Sequence, residues 1–99
     1  MKVEFLAEAR TEFYEAVAHY ESKQAGLGLR FSSKVIEASH RIERDPTLQR
    51  ERPGGYRRLN LQVFPYYLAY FIRNDVVIIA AVAHGHRRPG YWRERLSSS

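Results

Sequence analysis

The spacing of apolar residues predicts two helices in the first half of the chain. Apolar residues recur at intervals of three and four from Leu6 to about Lys23, and again from Phe31 to Ile42, which is typical of amphipathic helices. A glycine-containing turn separates the two runs, and Asp45-Pro46 ends the second, because the residue before proline is disfavoured in helical geometry. The pattern therefore predicts an antiparallel helical hairpin. The glutamates of its first helix are expected to face solvent: Glu8, Glu12, Glu15 and Glu21.

The second half of the chain carries strand patterns. Polar and apolar residues alternate from Tyr56 to Val63, which predicts a half-buried strand. Tyr66–Arg73 and Val76–Ala83 are rich in aromatic and β-branched residues, and the turn residues Asn74-Asp75 join them into a predicted β-hairpin. The run Val76–Ala83 is almost entirely apolar, so we expect it to be central in the sheet or covered on both faces. Lys2–Phe5 is a predicted edge strand.

Four aromatic residues of the predicted hairpin are candidates for base stacking. Aromatic side chains in strands beside a helical layer are usually core residues or cross-strand pairs. We therefore expect two or three of them in the core: Tyr66, Tyr67, Tyr70 and Phe71.

Length and composition restrict the class of protein. A chain of 99 residues corresponds to one small domain, predicted to span residues 1–96, with residues 97–99 as a disordered tail. The absence of cysteine excludes disulfides and thiolate metal sites. Nothing at the N-terminus resembles a signal peptide, and the run Val76–Ala83 is too short to span a bilayer. We therefore expect a cytoplasmic protein with no membrane partner.

The positive charge is concentrated in the second half of the chain. The formal net charge is +5, yet residues 1–49 carry seven Lys/Arg against eight Asp/Glu, whereas residues 50–99 carry nine arginines against three acidic residues. Arginine suits bidentate contact with phosphate or carboxylate. This asymmetry indicates a nucleic acid or an acidic protein as partner; a basic surface that serves only solubility is the alternative.

Two histidines stand at the end of the last predicted strand. His84 and His86 would share a face of an extended backbone, as metal ligands can. No cysteine or nearby carboxylate completes such a site, so we expect neither a metal nor a cofactor.

The chain carries several short motifs whose order and spacing, over nearly its whole length, resemble those of the RelE/ParE superfamily of bacterial type II toxins. The resemblance is closer to the ParE-like branch. The motifs are Phe31 after the glycine turn, Asp45-Pro46, Tyr56-Arg57-Arg58, Phe64-Pro65-Tyr66 with Tyr70, His84-Gly85-His86-Arg87 and Tyr91-Trp92. The resemblance implies an α+β fold in the order β-α-α-β-β-β, with the helical hairpin packed on a small, mainly antiparallel sheet. It also implies a cognate antitoxin that binds and neutralises the toxin.

The resemblance implies two alternative activities, and a third hypothesis is an inactive relative kept in a complex. ParE-like toxins are associated with inhibition of DNA gyrase, and a non-enzymatic toxin of this kind is the preferred hypothesis. RelE-like toxins cleave messenger RNA on the ribosome, and for this alternative the similar positions are Arg57, Arg87 and Tyr91. Because arginine stays protonated, the base would be His84 or His86, and His86 is the candidate taken with the other three. The chain departs from that pattern, since no lysine follows Lys34.

The same basic and aromatic residues form the predicted target surface or nucleic-acid surface: Arg57, Arg58, Arg87, Arg88, Tyr91, Trp92 and Arg93. Arginine and aromatic residues together are typical of interaction surfaces. The alternative for Trp92 is that it folds back onto the end of the sheet. The antitoxin is expected on the outer grooves of the helical hairpin and on an exposed sheet edge.

Overall fold

Two helices cover one face of a mixed sheet, and the C-terminal segment covers the other face. The computed structural model describes residues 1–97, and for residue 97 it describes the backbone alone. The elements are β1 (Lys2–Phe5), α1 (Ala7–Lys23), α2 (Leu27–Arg44), β2 (Arg57–Asn60), β3 (Tyr66–Arg73), β4 (Val76–His84) and α3 (Glu94–Ser97). The predicted order β-α-α-β-β-β is confirmed, and α3 follows it. Ser97 ends α3, and the rest of the predicted disordered tail lies outside the described residues.

The helical hairpin forms because both helices bury an apolar stripe against the sheet. In α2 this stripe is the predicted one, since Phe31, Val35 and Ile42 are all buried. A glycine at the start of α2 lets the two helices approach closely: a Cβ added at Gly28 would lie 2.6 Å from the Val17 carbonyl oxygen. A larger residue at this position would push the helices apart. No helix within residues 1–97 is both long and apolar enough to cross a bilayer.

The turn between the helices is held by an exposed glutamate. The Glu21 carboxylate accepts the backbone N–H of Gly26 at 2.9 Å and that of Gly28 at 3.0 Å. Gly26 adopts a left-handed conformation with φ 87°, which glycine reaches without strain. The negative charge therefore satisfies N–H groups at the positive end of α2.

The strands described in residues 1–97 form one sheet in the order β1-β4-β3-β2. β2, β3 and β4 are antiparallel neighbours, whereas β1 lies parallel to β4. Asn74 and Asp75, with φ of 50° and 62°, form the two-residue turn that the sequence predicts. β4 is central, as its apolar composition indicates. β2 ends at Asn60 rather than at Val63, because the chain turns there and Val63 has a φ of 75°.

A bulge in β4 determines which of its residues face the helices. The register shifts between Ala69 and Tyr70 of β3, which leaves Ala80 of β4 as the extra residue. As a result Val77 before the bulge and Val82 after it both join the core beneath the helices. The alanines between them face a second core on the opposite side of the sheet. Both faces of β4 are therefore buried, as expected.

Candidate functional site

The chain after β4 folds back over the sheet face that the helices leave free. Trp92 and Leu96 pack into the second core with Tyr56 and Tyr67. The indole of Trp92 is 0 % exposed, and its ring centroid lies 5.3 Å from that of Tyr56 and 5.5 Å from that of Tyr67. Trp92 is one of the predicted target contacts, with folding back onto the sheet as the alternative. The structure places it in the core, where its large apolar ring covers the sheet.

Side chains, rather than a strand, cover part of the outer edge of β4. β1 ends opposite Ile79. Beyond this point Glu12 of α1 accepts the backbone N–H of Val82 at 3.1 Å, and Arg95 donates to the carbonyl of Ala80 at 2.8 Å. These backbone groups would otherwise lie unpaired at a sheet edge. The two side chains therefore link the edge to α1 and to the C-terminal segment.

Glu12 is the centre of a charged cluster at this edge. Its Oε2 accepts the Tyr91 hydroxyl at 2.6 Å, and Arg95 donates to both carboxylate oxygens at 3.0 Å. Arg87 lies further away, with Nη1 at 3.5 Å from Oε2. This cluster, defined as Glu12, Arg87, Tyr91 and Arg95, is called the Glu12 cluster below.

The position of Glu12 corrects the expectation that it faces solvent. Its side chain is only 13 % exposed. Ala9 and Ala16, about one helical turn before and after it, are both buried. Glu12 thus lies within the stripe of α1 that packs on the sheet, and three donors compensate for the loss of water around its charge.

Tyr91 is fixed by stacking as well as by its hydrogen bond. The Arg87 guanidinium carbon lies 3.7 Å from the centroid of the Tyr91 ring, and that of Arg95 lies 5.1 Å away. Burial raises the pKa of Tyr91 well above its ordinary value of 10.0, and the hydrogen bond and charge of Glu12 raise it further. The hydroxyl therefore stays protonated at neutral pH and acts as a hydrogen-bond donor.

Arg57 does not belong to this cluster. Its Nη1 donates to the Gln49 carbonyl at 2.6 Å and so holds the loop that follows α2. Arg57 pairs with Tyr70 of β3, whereas Arg87 follows His84 at the far end of β4. At about 3.3 Å per residue, Arg57 lies about 13 Å along the sheet from the level of His84. Arg87 lies beyond His84, and β3 lies between the two strands. The structure therefore does not bring Arg57 together with Arg87 and Tyr91.

The two predicted histidines lie at the end of β4. His84 Nδ1 accepts the backbone N–H of His86 at 3.0 Å, and the His84 ring lies 5.0 Å from that of Tyr66. His86 is exposed. In the described part of the chain no three His, Cys, Asp or Glu side chains are arranged to hold a metal ion. A cleft of about 160 Å³ beside α1 is lined by Glu12, Glu15, Ala16, His19, Tyr66, Val82, His84, Arg87 and Tyr91.

The remaining predicted arginines lie on other parts of the surface. Arg58 follows Arg57 on β2 and so faces the opposite side of the sheet, where its guanidinium carbon lies 3.7 Å from the Tyr67 ring centroid. Arg93 Nη2 contacts the Pro53 carbonyl at 3.4 Å. Arg88 is exposed and has no hydrogen bond or ion pair with the other described residues. The predicted surface is therefore divided between two faces of the molecule.

The helical hairpin exposes apolar side chains outside the predicted set. Tyr14, Leu29 and Ile36 are 61 %, 72 % and 48 % exposed. Two of them line a groove of about 160 Å³ between the helices and β1, called the hairpin groove below, whose lining is Phe5, Arg10, Phe13, Tyr14, Val35, Ile36 and Ser39. Exposed apolar residues next to such a groove are typical of protein-binding surfaces.

Comparisons with known proteins identify the family. A family described as the ParE toxin of type II toxin-antitoxin system, parDE, matches residues 3–89. A solved structure described as "Chromosomal ParDE TA system from P. aeruginosa" is similar, with a TM-score of 0.74 and 17 % sequence identity over 85 % of this chain and 95 % of that chain. At this identity the likeness shows the fold. No curated protein sequence gives a significant match. Because the family match spans most of its length, this chain belongs to the ParE toxin family.

Proposed function

We propose that this chain is the toxin of a cytoplasmic type II toxin-antitoxin pair and that it arrests growth by binding DNA gyrase rather than by catalysis. A cognate antitoxin neutralises it in a hetero-oligomer. The observation that carries the proposal is the ParE family match over residues 3–89. The geometry of the basic residues adds support, because it favours binding over RNA cleavage.

The alternative, cleavage of messenger RNA on the ribosome, needs an acid and a base that reach one phosphate. Arg57 is bound to the loop after α2, far from Arg87. The Tyr91 hydroxyl donates to Glu12 and keeps its proton. The remaining candidate bases are His84 and His86, whose ring centroids lie 4.9 Å apart at the end of β4, away from Arg57. These positions support a toxin that acts by binding.

The hairpin groove is the proposed docking site for the antitoxin. An amphipathic helix binds by placing its apolar face in a groove of this kind. Tyr14 and Ile36 supply exposed apolar area at the rim of the groove, and Arg10 adds a positive charge suited to an acidic partner. The antitoxin would therefore dock on the opposite side of α1 from the Glu12 cluster.

The proposed gyrase contact lies at the end of β4, where two arginines are exposed. The Arg87 side chain is 57 % exposed, and its stacking on Tyr91 fixes its direction. Arg88 next to it has no partner among residues 1–97. Arginines held in position in this way lose less entropy on binding than free side chains do.

Transcript mapping after induced expression tests the proposal in growing cells. We expect wild-type chain to arrest growth while messenger RNAs stay intact. Arg87→Ala removes a charged contact worth about 1.5–3 kcal/mol, which corresponds to about a tenfold or greater loss of affinity for the target. The variant should therefore need more inducer to arrest growth.

The matched control is Arg30→Ala, which removes an exposed arginine from α2 and should leave the arrest unchanged. New RNA ends inside translated codons, lost in the Arg87→Ala variant, would contradict the proposal and establish a ribonuclease.

A further inference from the structure

Three arginines surround the second core on the sheet face opposite the helices. They are Arg52, Arg58 and Arg93, and together they are called the arginine face. Ion pairs join Lys2 to Glu4, Lys34 to Glu37, and Glu12 to both Arg87 and Arg95. None of these four ion pairs involves a residue of the arginine face, so the face is basic.

Contacts with aromatic rings and loops hold these arginines in place. Arg58 lies 3.7 Å from the Tyr67 ring centroid, and its Nε donates to the Asn60 side chain at 3.0 Å. Burial raises the pKa of Tyr67, and the positive charges of Arg58 and Arg52 oppose that rise. The Arg52 backbone N–H donates to the carbonyl of Tyr56 at 2.7 Å, which places Arg52 next to a residue of the second core. The terminal nitrogens of Arg58 make no hydrogen bond to the other described residues.

Arg93 is placed by two glycine turns. A Cβ added at Gly90 would lie 2.9 Å from Arg93 Nε, and one added at Gly54 would lie 3.5 Å from Arg93 Cζ. Both glycines have positive φ, 85° and 98°. The Arg93 side chain therefore packs against both turns and stays exposed with a defined direction.

The chemistry of the arginine face fits a phosphate backbone better than a protein. The aromatic rings beneath it are buried, at 6 % exposure for Tyr56, 2 % for Tyr67 and 0 % for Trp92. Protein interfaces combine arginine with aromatic side chains that the partner can contact, and single-stranded nucleic acid is bound by stacking on exposed rings. The exposed large apolar residues lie elsewhere: Met1, Tyr14, Leu29, Ile36, Leu48 and Val63.

We propose that the arginine face binds the phosphate backbone of duplex DNA without sequence preference. The biological setting rests on the proposed function, because a toxin bound to gyrase lies next to the DNA that gyrase holds. Positively charged side chains at fixed positions suffice for this kind of binding, since backbone contacts carry no sequence information.

Fluorescence anisotropy of a labelled duplex, titrated with the purified chain alone, tests the proposal. Three phosphate contacts predict a slope of about −2.7 for log affinity against log salt, so affinity should fall about 40-fold between about 50 and 200 mM salt. In the Arg58→Ala/Arg93→Ala variant one contact remains, and the same change in salt should lower affinity only about 3.5-fold.

A second double variant, Arg30→Ala/Arg44→Ala, is the control because it removes the same charge from exposed positions on α2. We expect it to keep the wild-type slope. The proposal would be overturned if this control lowered the salt slope as much as Arg58→Ala/Arg93→Ala does. It would also be overturned if the wild-type chain showed no salt-dependent binding, or if polyglutamate of equal charge displaced the DNA. Gyrase is absent from this assay, so its failure would leave the gyrase proposal standing.

Discussion

Replacing Trp92 with alanine should lower the free energy of unfolding by about 3–5 kcal/mol, the usual cost of removing a buried aromatic ring. Trp92 is fully buried and fills the space between the C-terminal segment and the sheet, where its ring contacts Tyr56 and Tyr67. Alanine leaves a cavity between the C-terminal segment and the sheet, and the neighbouring side chains fill that cavity only in part. Urea denaturation, followed by circular dichroism, measures the change.

Tyr14→Ala is the matched control, because it removes an aromatic ring that is 61 % exposed and should change stability by no more than about 0.5 kcal/mol. Trp92→Phe keeps a ring in the site and should lose less than Trp92→Ala, which keeps the test informative if the alanine variant does not fold. A loss for Trp92→Ala no larger than that for Tyr14→Ala would show that the C-terminal segment does not rest on the sheet.

Glu12→Ala should also lower the free energy of unfolding by about 3–5 kcal/mol, since it leaves a buried charge without its partner. The Arg95 side chain, 17 % exposed, loses a carboxylate that accepts two of its hydrogen bonds. The Tyr91 hydroxyl and the Val82 N–H lose their acceptor at the same time. Urea denaturation at neutral pH measures the loss.

A double-mutant cycle separates the ion pair from the rest of the Glu12 cluster. Because Arg95→Ala removes the charge that Glu12→Ala leaves unpaired, the double variant should lose less than the sum of the single losses, by about 0.5–3 kcal/mol. Glu15→Ala, an exposed position on the same helix, is the control and should be nearly neutral. If the losses in free energy of unfolding for Glu12→Ala and Arg95→Ala simply added in the double variant, the result would contradict an ion pair between Glu12 and Arg95.

The periodicity of the chain predicts its helices and hairpin well, because those elements depend on local spacing. Phe31 to Ile42 and the Asn74-Asp75 turn carry the necessary signal by themselves. The parallel pairing of β1 with β4 has no such signal, since a strand of four residues does not specify its distant partner. The position of the bulge at Ala80 also cannot be predicted from a run of small and β-branched apolar residues.

The candidate site was predicted less well, because the position of a charged side chain depends on packing between elements. In the sequence, Glu12 is indistinguishable from the solvent-facing glutamates of α1. The only indication that it lies on the face of α1 that packs on the sheet is its position between the small residues Ala9 and Ala16, which are both buried. Arg57 and Arg58 are predicted to lie on one surface, although adjacent residues of the predicted strand face opposite sides. Arg52 was missed because its place depends on the loop before β2.

Supercoiling of relaxed plasmid by purified gyrase tests the proposed target most directly. We expect the wild-type chain to inhibit supercoiling in proportion to its concentration, and Arg87→Ala to need about tenfold more protein for the same effect. Addition of the cognate antitoxin should restore supercoiling. Unaffected supercoiling in the presence of folded wild-type chain would contradict gyrase as the target.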